Sequence, residues 1–165
     1  MKFLKTYLLV CCFVFIAVSA ESQLTPNITD SRLDFALPDA KGDSIRLSSL
    51  KGKVFLLDFW ASWCTPCRFS NKELVKLYSK YKDKGFEILG VSLDDNKNAW
   101  KKAMSKDKVT WLQLNDNGGW DAISAAKWNI NAIPASFLID KNGNVVAIDP
   151  EKQELENKLR QLLGL

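Results

Sequence analysis

Apolar residues in this chain alternate between short continuous runs and helically spaced stripes. Val54 to Trp60 is an apolar run broken only by Asp58, the pattern of a central strand covered on both faces. Leu74, Leu77, Tyr78 and Tyr81 then keep helical spacing, and Gly85 supplies the stop signal. Phe86 to Leu93 reads as a second buried strand, and Asn98 to Met104 as a second helix with Trp100 on its inner side. Val109 to Leu114 predicts a third strand, followed by an Asn-Asp-Asn-Gly-Gly turn at 115–119 and a short helix from Trp120 to Lys127. Ala135 to Asp140 and Val145 to Ile148 flank Lys141-Asn142-Gly143-Asn144, a hairpin turn signal. Leu155, Leu159, Leu162 and Leu163 share one face of a last helix. Nearer the start, Phe35-Ala36-Leu37 and the Ile45/Leu47 pair predict two short strands around Asp39 to Asp43. Together these elements predict an α/β fold: a mixed central β-sheet flanked by helices, with an N-terminal β-hairpin and no internal repeat.

The N-terminus has a different pattern. Lys2 and Lys5 precede the apolar stretch Leu8 to Ala17, and Val18-Ser19-Ala20 ends in small residues. Residues 1–20 are therefore expected to be a cleaved signal peptide, and the apolar stretch is short for an uncleaved membrane anchor. Cys11 and Cys12 would leave with it. Residues 21–31 are polar, contain Pro26 and are expected to form a flexible lead-in, so residues 32–165 would be a single domain.

Losing the first 20 of 165 residues takes the net charge from +4 to +2, with Lys and Asp/Glu interspersed, which argues against nucleic acid as a partner. The chain contains no histidine, and this excludes Ser-His-Asp and Cys-His catalysis and histidine metal sites. Two cysteines would remain, Cys64 and Cys67, too close together for a multi-bridge scaffold.

A C-x-x-C pair where a buried strand turns into a helix carries specific chemistry. The first cysteine sits at the helix N-terminus, where unsatisfied N–H groups and the helix dipole favour a thiolate. Cys64 is accordingly expected to be an exposed nucleophile, and Cys67, one turn on and more buried, the resolving thiol. Pro66 fits the first helical turn. A static disulfide would restrict the unfolded chain little, and a zinc site lacks further ligands, so no metal or other cofactor is expected. Asp58 interrupts an apolar strand six positions before Cys64; a buried carboxylate there would have a raised pKa and could accept the Cys67 proton. The competing reading is a hydrated carboxylate at a strand end. Pro134 stands just before an apolar segment, as at a strand start or special turn, and from spacing alone a trans bond is favoured. Trp60, Trp100, Trp111, Trp120 and Trp128 are expected to be packing residues, whereas Trp63, beside the nucleophile, could face substrate.

Asp58-Phe59-Trp60-Ala61-Ser62-Trp63-Cys64-Thr65-Pro66-Cys67 resembles the thioredoxin active-site segment. The wider pattern resembles the TlpA/ResA branch of exported thioredoxin-like proteins. It comprises Leu50-Lys51-Gly52-Lys53, the run Gly85 to Asp94, and Ile133-Pro134 with Phe137 to Asp140 and Gly143. The resemblance implies a thioredoxin fold with an inserted αβ unit at about residues 94–118. It also implies a cis Pro134 facing the cysteines and an Ile133 backbone that pairs with a substrate strand. Trp63, Thr65, Pro66, Ile133 and Pro134 would then form the substrate surface. Relatives of this branch carry a Glu three residues after the second cysteine and a Pro shortly after it; here those positions are Ser70 and Lys72, which throws more of the proton chemistry onto Asp58.

The expected function is thiol:disulfide exchange on exported, periplasmic proteins through a redox-active Cys64–Cys67 disulfide. The Thr65-Pro66 dipeptide lacks the histidine of strongly oxidising relatives and points to a reductase. Expected partners are disulfide-containing exported proteins, with cytochrome c maturation one setting, and a membrane electron donor; the chain is expected to be a monomer. Two alternatives compete. Phe35 to Asp39 also resembles peroxiredoxins, but these carry a Thr three residues before the peroxidatic Cys, where this chain has Ala61. A soft-metal or protein binding module would have to hold Cu(I) by two thiolates alone, with Met1 and Met104 poorly placed in sequence to help.

Overall fold

A computed structural model describes residues 26–165. The expected signal peptide, with Cys11 and Cys12, and residues 21–25 of the lead-in lie outside the described residues. Strands β1 (Ala36–Pro38) and β2 (Ser44–Arg46) form an antiparallel hairpin. The rest of the chain runs β3 (Val54–Trp60), α1 (Thr65–Tyr81), β4 (Phe86–Ser92), α2 (Lys97–Asp107), β5 (Leu112–Asn115), α3 (Ile123–Lys127), β6 (Ala135–Ile139), β7 (Val145–Ile148) and α4 (Lys152–Leu163). Five strands make one mixed sheet in the order β5-β4-β3-β6-β7, with β3 parallel to β4 and antiparallel to β6.

β3 is the centre of the sheet, and all seven of its residues are buried. Strand alternation divides them. Phe55, Leu57 and Phe59 join a core with Ile28, Phe35, Leu47 and Trp128, whereas Val54 and Leu56 pack with Leu74, Leu77 and Tyr81 of α1 and Leu155 and Leu159 of α4. Asp58 has the parity of Leu56 and so points to the α1/α4 side of the sheet.

Several boundaries differ from expectation for local reasons. α2 begins earlier and ends later than expected: the Asn96 side chain caps it by accepting from the Asn98 and Ala99 N–H groups, and it ends at Lys108 in the left-handed region. Val109 N–H donates to Met104 O at 3.0 Å, so this residue closes the helix and β5 starts only at Leu112. The helix expected from Trp120 is split into a 3-10 turn at Gly119–Asp121 and α3, because Ala122 is extended between them.

The lead-in expected over 21–31 is docked from Pro26 onward. Val145 N–H donates to Pro26 O and Ile28 N–H to Gly143 O, and the Ile28 side chain is fully buried. An isolated apolar residue in a polar stretch carries no periodicity, and Ile28 enters a core that also holds Phe35 and Leu47. Gly143 makes this approach possible: it has φ 90°, and a Cβ there would meet Ile28 Cγ1 at 2.9 Å.

Candidate active site

β3 runs straight into the site. Trp60 O accepts from Leu93 N–H at 2.9 Å, and the turn that follows reaches Cys64, the N-cap of α1. Cys64 and Cys67 form a disulfide. Pro66 lies in the first turn of the helix, where no N–H is needed, and Cys67 N–H points to Cys64 Sγ at 3.2 Å. Cys64 Sγ also lies 3.7 Å from Ile133 O; a disulfide sulfur has no proton to donate, so this is a contact. Both sulfur residues are covered, Cys64 at 6% and Cys67 at 1% relative exposure. The expected exposed Cys64 is thus a buried residue in the oxidised form, because Trp60, Ala61, Trp100 and Ala103 close around the pair.

Trp63, Thr65, Pro66 and Pro134 are exposed around this centre and Ile133 is half-buried. The Ile133–Pro134 peptide bond is cis, contrary to the trans form favoured by spacing alone, and Pro134 immediately precedes β6. Trp60, Trp100, Trp111 and Trp128 are buried packing residues as expected, but Trp120 is 54% exposed. It packs against Trp63 instead, with ring centroids 5.9 Å apart and the ring planes tilted by 55°. A glycine-rich turn lifts it out of the core, a placement that an isolated tryptophan does not announce.

Asp58 lies in the sheet between Gly90 of β4 and Ser136 of β6. It is 3% exposed and lines a cavity of about 350 Å³ between α1, α4 and the end of β7, together with Ser70, Pro134, Ser136 and Asp149. Burial, aided by the nearby Asp149 charge, pushes its carboxyl up to about 7. Glu73 lines the same cavity, but salt bridges to Lys152 and Lys76 hold its carboxyl down at about 2. Ser70 offers only a hydroxyl to this cavity. Burial thus sets Asp58 apart from the ion-paired Glu73 as a carboxyl raised towards neutrality.

Two supporting networks were not singled out from sequence. Buried Asp94 accepts from Ser62 N–H at 2.8 Å and from the hydroxyls of Ser62 and Ser92, which fixes the turn before Cys64. Arg68, next to Cys67, forms an ion pair with Asp107 of α2 and donates to Ser62 O at 3.2 Å; Asn71 also donates to Asp107. Asp94 and Ser62 lie 32 positions apart and Arg68 and Asp107 lie 39 apart, so only the fold joins them. Met104, poorly placed by sequence, packs against the cluster holding both cysteines. Among the described residues, no group of three or more His, Cys, Asp or Glu converges as a metal site.

A family profile, AhpC/TSA family, matches residues 28–148. The chain belongs to the AhpC/TSA family. Among curated relatives, thiol-disulfide oxidoreductase ResA of Geobacillus kaustophilus is 36% identical over 132 residues, covering 78% of this chain and 74% of the relative. ResA of Bacillus cereus is 33% identical over 132 residues, covering 78% and 75%. Among solved structures, a thiol-disulfide oxidoreductase from Bacteroides fragilis is 36% identical with a TM-score of 0.73, covering 78% of this chain and 96% of that one. The thioredoxin domain of a thiol-disulfide oxidoreductase from Bacteroides vulgatus is 35% identical with a TM-score of 0.72, covering 79% and 93%. This AhpC/TSA-family chain has the thioredoxin fold and is a ResA-like thiol-disulfide oxidoreductase.

Proposed function

We propose that this oxidoreductase reduces disulfides in exported proteins, in the periplasm, with Cys64 as nucleophile and Cys67 as resolving thiol. One observation carries the reading: Cys64 is the N-cap of α1, and its sulfur touches the Ile133 carbonyl beside Pro134. The helix N-terminus favours the attacking thiolate, and the adjoining backbone offers an edge to an extended substrate. Trp63, Thr65, Pro66, Ile133 and Pro134 then form the substrate-facing surface. Cys64 attacks a substrate disulfide and is joined to one of its sulfurs; the other leaves as a thiolate. Cys67 attacks Cys64 Sγ, giving its proton to Asp58, and the second substrate sulfur leaves. The carboxyl at about 7 supports Asp58 in this role.

The direction of electron flow rests on the lack of histidine between the cysteines and needs a membrane electron donor to recharge the pair. The reading requires no cofactor beyond the Cys64–Cys67 disulfide and treats the chain as a monomer. Equilibration with glutathione redox buffers tests it. A potential near about −270 mV supports a reductase, and one near about −120 mV overturns it. Capture of mixed disulfides by Cys67→Ser in periplasmic extracts should identify the substrates, and a variant that traps nothing there would count against exported protein substrates. The peroxidase alternative is disfavoured by buried, apolar Ala61 three residues before Cys64, which has no hydroxyl to offer.

A further inference from the structure

Asp58, Gly90 and Gln113 occupy one row across β3, β4 and β5, in direct register. Side chains in such a row share a face of the sheet. Gly90 has no side chain, and a Cβ built there would lie 2.1 Å from Gln113 Nε2. The Gln113 amide therefore fills the place of a β4 side chain, next in the row to Asp58. Its orientation is determined by Trp60, whose indole N–H donates to Gln113 Oε1 at 2.8 Å. An indole nitrogen only donates, so the oxygen must face Trp60 and the NH₂ must face the other way. That NH₂ is buried and has no hydrogen-bond partner among the described residues. A buried unpaired donor is costly, and natural structures contain few without a reason.

We propose that Gln113 is a positioning residue for the proton step, its free amide N–H serving the Asp58 carboxylate, directly or through one water, in the state that accepts the Cys67 proton. The inference rests on the proposed role of Asp58. In that step the Cys67 S–H proton moves to Asp58, the Cys67–Cys64 S–S bond forms, and the Cys64–substrate S–S bond breaks. The electron pair of the broken bond leaves on the substrate sulfur. Two electrons have then passed from the dithiol to the substrate. Asp58 must begin the step ionised, and a hydrogen bond to a carboxylate is stronger than one to the neutral acid.

The other groups around Asp58 do not supply that donor. Asp149, from the β7–α4 connection, disfavours the anion. On α1 and α4, Lys76 and Lys152 are engaged by Glu73, and Lys80 by Glu156. The Ser70 and Ser136 hydroxyls line the same cavity, but neither is hydrogen-bonded to Asp58 in this structure, and β4 adds only Gly90 to the row.

The test is the single-turnover oxidation of the reduced enzyme by a peptide disulfide, followed from pH 5.5 to 9. Gln113→Leu should move the inflection of the rate upward by about one pH unit, slow the reaction about fivefold at pH 7, and leave it near normal at pH 9. Gln113→Met retains the side-chain length and should behave alike, which protects the test if one variant folds poorly. In an Asp58→Asn background, Gln113→Leu should cause no further slowing. If Asp58→Asn alone leaves the rate unchanged, the role of Asp58 fails and takes this inference with it. If Asp58→Asn slows the reaction but both Gln113 variants leave the inflection in place, or slow the Asp58→Asn enzyme equally, Gln113 is only structural and the inference alone is overturned.

Discussion

Trp63 and Trp120, 57 positions apart in the chain, pack as a tilted pair at a centroid distance of 5.9 Å and remain half exposed beside the disulfide. Aromatic area held open to solvent at this position is available to an extended apolar substrate segment. Trp120→Ala should therefore lower kcat/KM for protein disulfides several-fold, about 1 kcal/mol in transition-state binding, and leave exchange with a small disulfide unchanged. Equal loss on both substrates would place the effect in the cysteine centre instead.

Asp58 should leave a signature in stability as well as in rate. Its carboxyl is raised from 3.8 in the unfolded chain to about 7 in the native protein. The native state thus binds more protons between these values, and stability falls as pH rises through that window. The interval corresponds to a ceiling of about 4 kcal/mol, at about 1.4 kcal/mol per pH unit. Asp58→Asn should flatten this slope and be the more stable protein above pH 7. Urea unfolding of the oxidised protein at pH 4.5 and 8 checks this, and parallel slopes in both proteins would count against a buried, titrating Asp58.

Asp149 accepts from Ser136 N–H at 2.6 Å and lines the cavity that holds Asp58. Asp149→Asn removes a repelling charge, so the Asp58 titration should move down from about 7. Burial is the larger cause and stays in place, so the midpoint should remain above the ordinary carboxylate range. Carbon-13 NMR of the Asp58 carboxyl measures it directly; an unmoved midpoint would mean that the two carboxyls are not coupled.

Ile28 ties the segment before β1 to the β6–β7 turn and is fully buried. Ile28→Ala should cost about 2–5 kcal/mol of unfolding free energy, as a buried large-to-small change. The redox potential should hardly change, because Ile28 belongs to the core on the face of the sheet away from α1. A neutral effect in denaturant titration would show that the lead-in is not part of the folding unit.

The elements read from periodicity are those whose signal lies within a few neighbouring residues. The buried run of β3, the α1 stripe ending at Gly85 and the 141–144 turn each carry their own local chemistry, and the strand-to-helix position of Cys64 and Cys67 follows from two of them. Asp58 could be singled out because a carboxylate among apolar neighbours is conspicuous at short range. Boundaries were less legible where caps set them: a side chain at Asn96 and a left-handed Lys108 decided the span of α2.

What the sequence determined by itself was the α/β fold class, the redox pair at a helix N-terminus and one suspect carboxylate, because each is written in contiguous residues. Tertiary structure alone decided that Asp149 stands near Asp58, that Trp120 leaves the core for Trp63, that Ile28 enters it, and that Gln113 fills the space left by Gly90. Each of these depends on strand register and loop closure between segments distant in the chain, and such pairings leave no periodic trace in either partner.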